Sequence, residues 1–153
     1  MNTTTQQDMT TPTTAPAWPA LAAIGAGTAA VLTAVGTFWD LTGNESGSAT
    51  KDDFYIWLTF NLGVIVVGSA LVFGLVVRSA TPANAGRRGL ILAVVGLLSI
   101  GVFWTGLPAI LATGAIACSL VDKRGGRLSR MSQSALAISV VTLGLAIWMA
   151  VAG

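Results

Sequence analysis

The chain has 153 residues, 54% of them hydrophobic and 9% charged, with 8 Lys and Arg against 6 Asp and Glu. A soluble domain carries about 25% charged residues, so this composition excludes an ordinary water-soluble globule and a disordered chain. A net charge of +2 leaves no electrostatic footprint for a nucleic-acid module.

Residues 1–17, MNTTTQQDMTTPTTAPA, hold seven Thr and two Pro and one charge, Asp8. Such a segment has no apolar surface to bury and reads as a disordered, Thr-rich tail. Residues 18–153 read as one transmembrane domain. Four uncharged runs follow the tail: Trp18 to Trp39, Phe54 to Val77, Gly89 to Val121 and Met131 to Gly153. A helix needs about 20 apolar residues to cross a hydrocarbon core of about 30 Å. Lipid offers the backbone no partner, so spanning segments are helices or closed barrels. Continuous apolar stretches such as Val64-Ile65-Val66-Val67 exclude the alternating strands of a barrel.

The first run carries Ala22, Ala26, Ala30 and Ala34 at spacing four, beside Gly25, Ala29, Thr33 and Thr37. Small residues at this spacing let helices approach closely in lipid. The stripe packs within the bundle or docks another subunit. The next segment, Asp40 to Asp53, reads DLTGNESGSATKDD. Its acids do not fit the spacing of a calcium loop. Asp52 and Asp53 are expected to cap the second helix and complement its dipole. Within that helix Asn61 is the one strongly polar side chain. It is expected to act as packing glue toward Thr33 or Thr37, worth about 0.6–2 kcal/mol.

The third run, 33 residues long, is too long for one comfortable span and short for two. Three features favour a hairpin. Phe103-Trp104-Thr105-Gly106-Leu107-Pro108 combines a capping Thr, a turn-forming Gly and a Pro suited to a first helical turn. Short loops keep their basic residues on the cytoplasmic side. A hairpin places Arg78, Arg87, Arg88, Lys123, Arg124, Arg127 and Arg130 on that side against Lys51 alone, whereas a single crossing splits them five to three. Trp104 then sits at the outer interface with Trp39, Trp57 and Trp148, where Trp is favoured; Trp18 marks the inner one.

The predicted fold is therefore an all-α polytopic transmembrane bundle of five helices, about 18–39, 54–77, 88–103, 107–121 and 132–152. Helices 3 and 4 form a short hairpin, and four spans is the alternative. Cys118 lies in the apolar stretch Ala-Ile-Ala-Cys-Ser-Leu and reads as a small buried hydrophobe. With no His and one Cys, a disulfide within the chain, a Cys₂His₂ zinc site and a His base are all excluded.

Residues Gly89 to about Val151 resemble small bacterial membrane proteins of an actinobacterial type, known only as a domain of unknown function. The likeness rests on Leu90-Ile91-Leu92-Ala93-Val94-Val95-Gly96-Leu97-Leu98-Ser99, Gly106-Leu107-Pro108-Ala109-Ile110, Lys123-Arg124-Gly125-Gly126-Arg127 and the run from Ala135. It implies the hairpin and brings no activity or site residues. No catalytic, cofactor-binding or metal-binding residue is expected, and no cofactor. The chain reads as a non-enzymatic accessory or scaffold subunit of a bacterial plasma-membrane complex, multi-pass, with a cytoplasmic N-terminus. The alternative is a small transporter or channel subunit lined by Asn61, Ser69, Ser99, Thr113 and Ser139. The expected partners are the lipid bilayer and other membrane subunits or a second copy, not nucleic acid.

Overall fold

The computed structural model describes residues 18–43, 51–124 and 126–152; for 18, 36–43, 51–54, 103, 104, 124 and 152 it describes the backbone alone. The Thr-rich segment 1–17 and residues 44–50 between the first two helices lie outside the described residues.

The described chain is all-helical and has five main helices. Helix α1 runs Trp18–Gly43. Helix α2, Lys51–Leu71, widens into a π turn over Val72–Val77. Helix α3, Ala85–Leu98, tightens into a 3₁₀ segment over Ser99–Thr105. Helices α4, Leu107–Arg124, and α5, Arg130–Ala152, complete the order. Among the described residues, Tyr55–Val77, Ala85–Val102 and Arg130–Val151 are long and apolar enough to cross a membrane, and Pro19–Val35 is a shorter apolar helix.

The long apolar run breaks where Gly and Pro stand together. Val102 leaves helical geometry (φ −123°, ψ 39°). Gly106 takes φ +72°, a left-handed conformation that costs glycine little. Pro108 then falls in the first turn of α4, where its missing N–H is not needed. Gly106 also lies hard against α1: a Cβ there would meet Thr33 Oγ1 at 3.0 Å and Ala29 Cβ at 3.1 Å.

Several boundaries differ from the sequence reading by a few residues. Helix α3 starts at Ala85 rather than 88, because the Thr81 to Asn84 turn closes on itself. The Thr81 N–H donates to Asn84 Oδ1 at 2.9 Å, and the Asn84 and Ala85 N–H groups donate to Thr81 O at 3.0 and 2.8 Å. Helix α2 starts at Lys51, so Asp52 and Asp53 fall inside its first turn instead of preceding it. That position still suits the dipole.

The centre of the bundle is α4 itself, which packs against all four other helices. Its buried residues are mostly small: Ala109, Ala112, Ala115, Ala117, Cys118 and Ser119, with Ile110 the large exception. Helix α3 descends antiparallel along it, Gly96 beside Leu111 and Ala112, and Gly89 beside Ala115 and Cys118. Helix α1 is also antiparallel to α4, with Gly25 opposite Thr113. Helix α2 runs parallel, Gly68 near Leu107 and Ile110. The side chains of Val72 and Leu92 both close over Gly114. Large apolar side chains such as Ile56, Phe60, Val66, Leu98, Val140 and Trp148 point outward, as they do in a bundle whose solvent is lipid.

The contact at Gly114 sets a test. A Cβ there would run into the Val72 side chain, while one on Gly63 or Gly144 would meet nothing within 4 Å. Gly114→Ala is expected to lower stability by about 1–3 kcal/mol, the range for an overpacked core. Gly63→Ala and Gly144→Ala should be neutral or gain up to about 1 kcal/mol from helix propensity. Thermal unfolding of the detergent-solubilised protein, followed by circular dichroism, measures the difference.

Candidate functional site

Two polar regions interrupt the apolar bundle, one inside it and one at the end away from the Gly106 turn.

Inside, most hydroxyls are satisfied by their own helix. Thr113 Oγ1 donates toward Ala109 O at 2.8 Å, Thr142 Oγ1 to Ile138 O at 2.9 Å, and Ser99 Oγ to Gly96 O at 2.8 Å. Asn61 differs. It is 3% exposed, and its Oδ1 has no hydrogen-bond partner among the described residues. The expected bond from a Thr33 hydroxyl to that oxygen is therefore not formed, and the Thr37 side chain lies outside the described residues. Ser69 and Ser139 likewise keep hydroxyls without a partner among the described residues. On the outer face of α2 an open groove of about 540 Å³ is lined by Phe60, Gly63, Val64, Val67 and Leu71, with Leu107 of α4.

On α1 the fully buried line is Gly25, Ala29 and Thr33. Ala22, Ala26 and Ala30 lie half-buried against the core, and Ala34 is exposed.

The other end is built from the α2–α3 turn and the α4–α5 loop. The hairpin brings them together: Gly86 of α3 sits so close to Ser129 and Ser132 that a Cβ on it would lie 2.6 Å from Ser129 Oγ. Arg78, Arg87, Lys123, Arg127 and Arg130 are exposed at this end, and Arg88 is half-buried. The Arg124 side chain lies outside the described residues. Arg88 is the one that holds structure. Its Nη1 donates to Val76 O at 3.1 Å and to Ser79 Oγ at 2.6 Å, tying the carbonyl end of α2 to the first turn of α3.

Asp122 organises the α4–α5 loop. It is 8% exposed, and its Oδ2 accepts the Ser129 N–H at 2.8 Å. Ser129 in turn caps α5, its Oγ accepting the Ser132 N–H at 3.2 Å. Gly126, at φ +121°, turns the loop and donates its N–H to Lys123 O at 3.0 Å. The Ser129 N–H holds the Asp122 carboxyl below the usual carboxylate range, with burial opposing it. Reasoning from sequence did not single out Asp122. The signal available was an acid seven residues before a Ser that precedes an apolar run, which is weak.

No protein-family model, no curated protein and no solved structure matches this chain.

The lowered pKa of Asp122 fixes the sign of a pH dependence. Its stabilising contribution is present above the ordinary Asp pKa of about 3.9 and is lost as pH falls through the folded-state value. Asp122→Asn, which keeps an oxygen acceptor and loses its charge, should therefore cost about 1 kcal/mol at pH 7, the difference between a hydrogen bond to a charged group and one to a neutral group. It should also flatten the loss of stability below about pH 4. Unfolding midpoints of both proteins across pH 3–7 check this.

Proposed function

We propose that the chain is a non-enzymatic integral membrane protein that acts as an accessory or scaffold subunit in a bacterial cytoplasmic membrane. In this reading the basic end and the N-terminus face the cytoplasm, and the partners are other membrane subunits or a second copy. Likeness of residues 89–151 to small actinobacterial-type membrane proteins belongs to the same proposal.

The observation that carries the reading is the position of α4. A single-chain conduction path would run along the axis of the bundle, and that axis is occupied by a helix whose side chains are small and closely packed. What the bundle offers instead is an outer surface of α2, α3 and α5 that is apolar along its length. The gathering of the basic residues at one end supports the sidedness, since short basic loops stay cytoplasmic.

Asn61 keeps a second reading in play. A buried amide oxygen without a partner costs about 1–3 kcal/mol, and a substrate or ion passing along α2 would supply that partner. This favours the transporter or channel subunit.

Both readings are testable in cells. In a Cys118→Ala background, cysteines placed at positions 87 and 127 should both resist a membrane-impermeant thiol reagent applied from outside and both react after permeabilisation. Labelling at 127 but not at 87 would put the two basic clusters on opposite sides and end the proposed topology. Asn61→Leu should fold, with stability unchanged or changed by at most about 2 kcal/mol. If that variant remains abundant yet loses the wild-type phenotype, the transport reading replaces the scaffold.

A further inference from the structure

Arg78, Arg87 and Arg130 stand around the first turn of α3 in the backbone. Arg78 closes the π turn of α2 through its N–H, which donates to Phe73 O at 3.1 Å. Arg87 lies in the first turn of α3. The start of α5 abuts the same turn, where a Cβ on Gly86 would stand 3.6 Å from Met131 Cβ. All three arginines are exposed. Arg88 is spent inward on Val76 and Ser79 and so fixes the backbone between Arg78 and Arg87. The one acid whose side chain is described, Asp122, is buried and already accepts the Ser129 N–H.

Each of the two arginines flanking this turn adjoins exposed apolar side chains on its own helix, and Arg87 ends a stripe of them. Leu71 and Leu75 precede Arg78 along the end of α2, and both are more than half exposed. Ile91 and Leu98 follow Arg87 on its face, also more than half exposed. Residues three and four apart share a helix face. A cation at the end of an apolar stripe is complementary to an anionic phospholipid, whose phosphate sits at the interface and whose acyl chain runs along the helix.

We propose that Arg78, Arg87 and Arg130 form a seat for the headgroup of an anionic phospholipid. The inference rests on the membrane reading above. Attraction of a basic residue to an anionic leaflet is worth about fivefold in affinity per residue. The full chain, reconstituted in bilayers of equal phosphatidylglycerol and phosphatidylcholine and released gently into detergent, should retain phosphatidylglycerol in preference when examined by native mass spectrometry. Arg87→Gln should reduce that preference about fivefold, and the pair Arg78→Gln with Arg87→Gln should bring it close to parity. Lysine at the same two positions should keep most of it. Arg127→Gln, which removes the same charge from the loop with no apolar stripe beneath it, should leave it intact. Where the paired variant fails to fold, the single variants decide. Three results overturn the seat: a preference that survives the paired change, an equal loss in Arg127→Gln, or displacement by soluble glycerol phosphate, which would assign the site to free phosphate. Alkaline washing separates the two levels. Release of the protein from membranes defeats the membrane reading itself, whereas a retained protein without lipid preference defeats the seat alone.

Discussion

The bundle depends on one steric constraint: a helix surrounded by four others can be approached on every side only if its side chains are small. Helix α4 meets it with Ala109, Ala112, Gly114, Ala115 and Ala117, and its neighbours answer with Gly25, Gly89 and Gly96 at the closest points. In lipid, helices gain nothing from hiding apolar surface from one another, so close van der Waals packing has to hold them together. That is why small residues lie inside, while many of the large ones, such as Ile56, Phe60, Leu98 and Trp148, lie outside. The core of a soluble protein is arranged the other way round.

This inversion explains what was legible in the sequence and what was not. Five helices and the break at Gly106 could be read because charge runs, Gly with positive φ and Pro in a first turn are local signals. The rank of α4 could not. A short, Ala-rich and Thr-containing stretch looks like the weakest helix on hydropathy, and its weakness there is a consequence of being enclosed by protein rather than lipid. The stripe on α1 failed to declare its face for a related reason. Ala22, Ala26, Ala30 and Ala34 have the same spacing as Gly25, Ala29 and Thr33, and in a helix rich in small residues periodicity cannot select between adjacent lines. Burial selects the second. The π turn over Val72–Val77 also lacks a sequence mark. It occurs where Val72 closes over Gly114, a contact between residues far apart in the chain.

Polar groups divide by location in the same way. Hydroxyls on the inner helices mostly return to carbonyls of their own helix, which makes them compatible with an apolar interior at little cost. Asn61 cannot do this with its carbonyl oxygen, which like the Ser69 and Ser139 hydroxyls has no hydrogen-bond partner among the described residues. Asp122 stands at the opposite extreme, a buried acid whose oxygen is supplied with a backbone donor by the loop it shapes.

The basic end shows which force prevails when two conflict. Arg87 and Arg88 lie at the start of α3, where a helix dipole disfavours cations by about 0.3–1 kcal/mol each. A helix designed for its own stability would carry acids there. Arg88 recovers the loss by reaching Val76 O at the carbonyl end of α2, where a cation is welcome. Arg87 has no such return and stays exposed. Its position is therefore unfavourable for the helix by itself; it adds a positive charge to the end of the bundle where Arg78, Lys123, Arg127 and Arg130 are also exposed, and the gain that offsets the dipole lies outside α3.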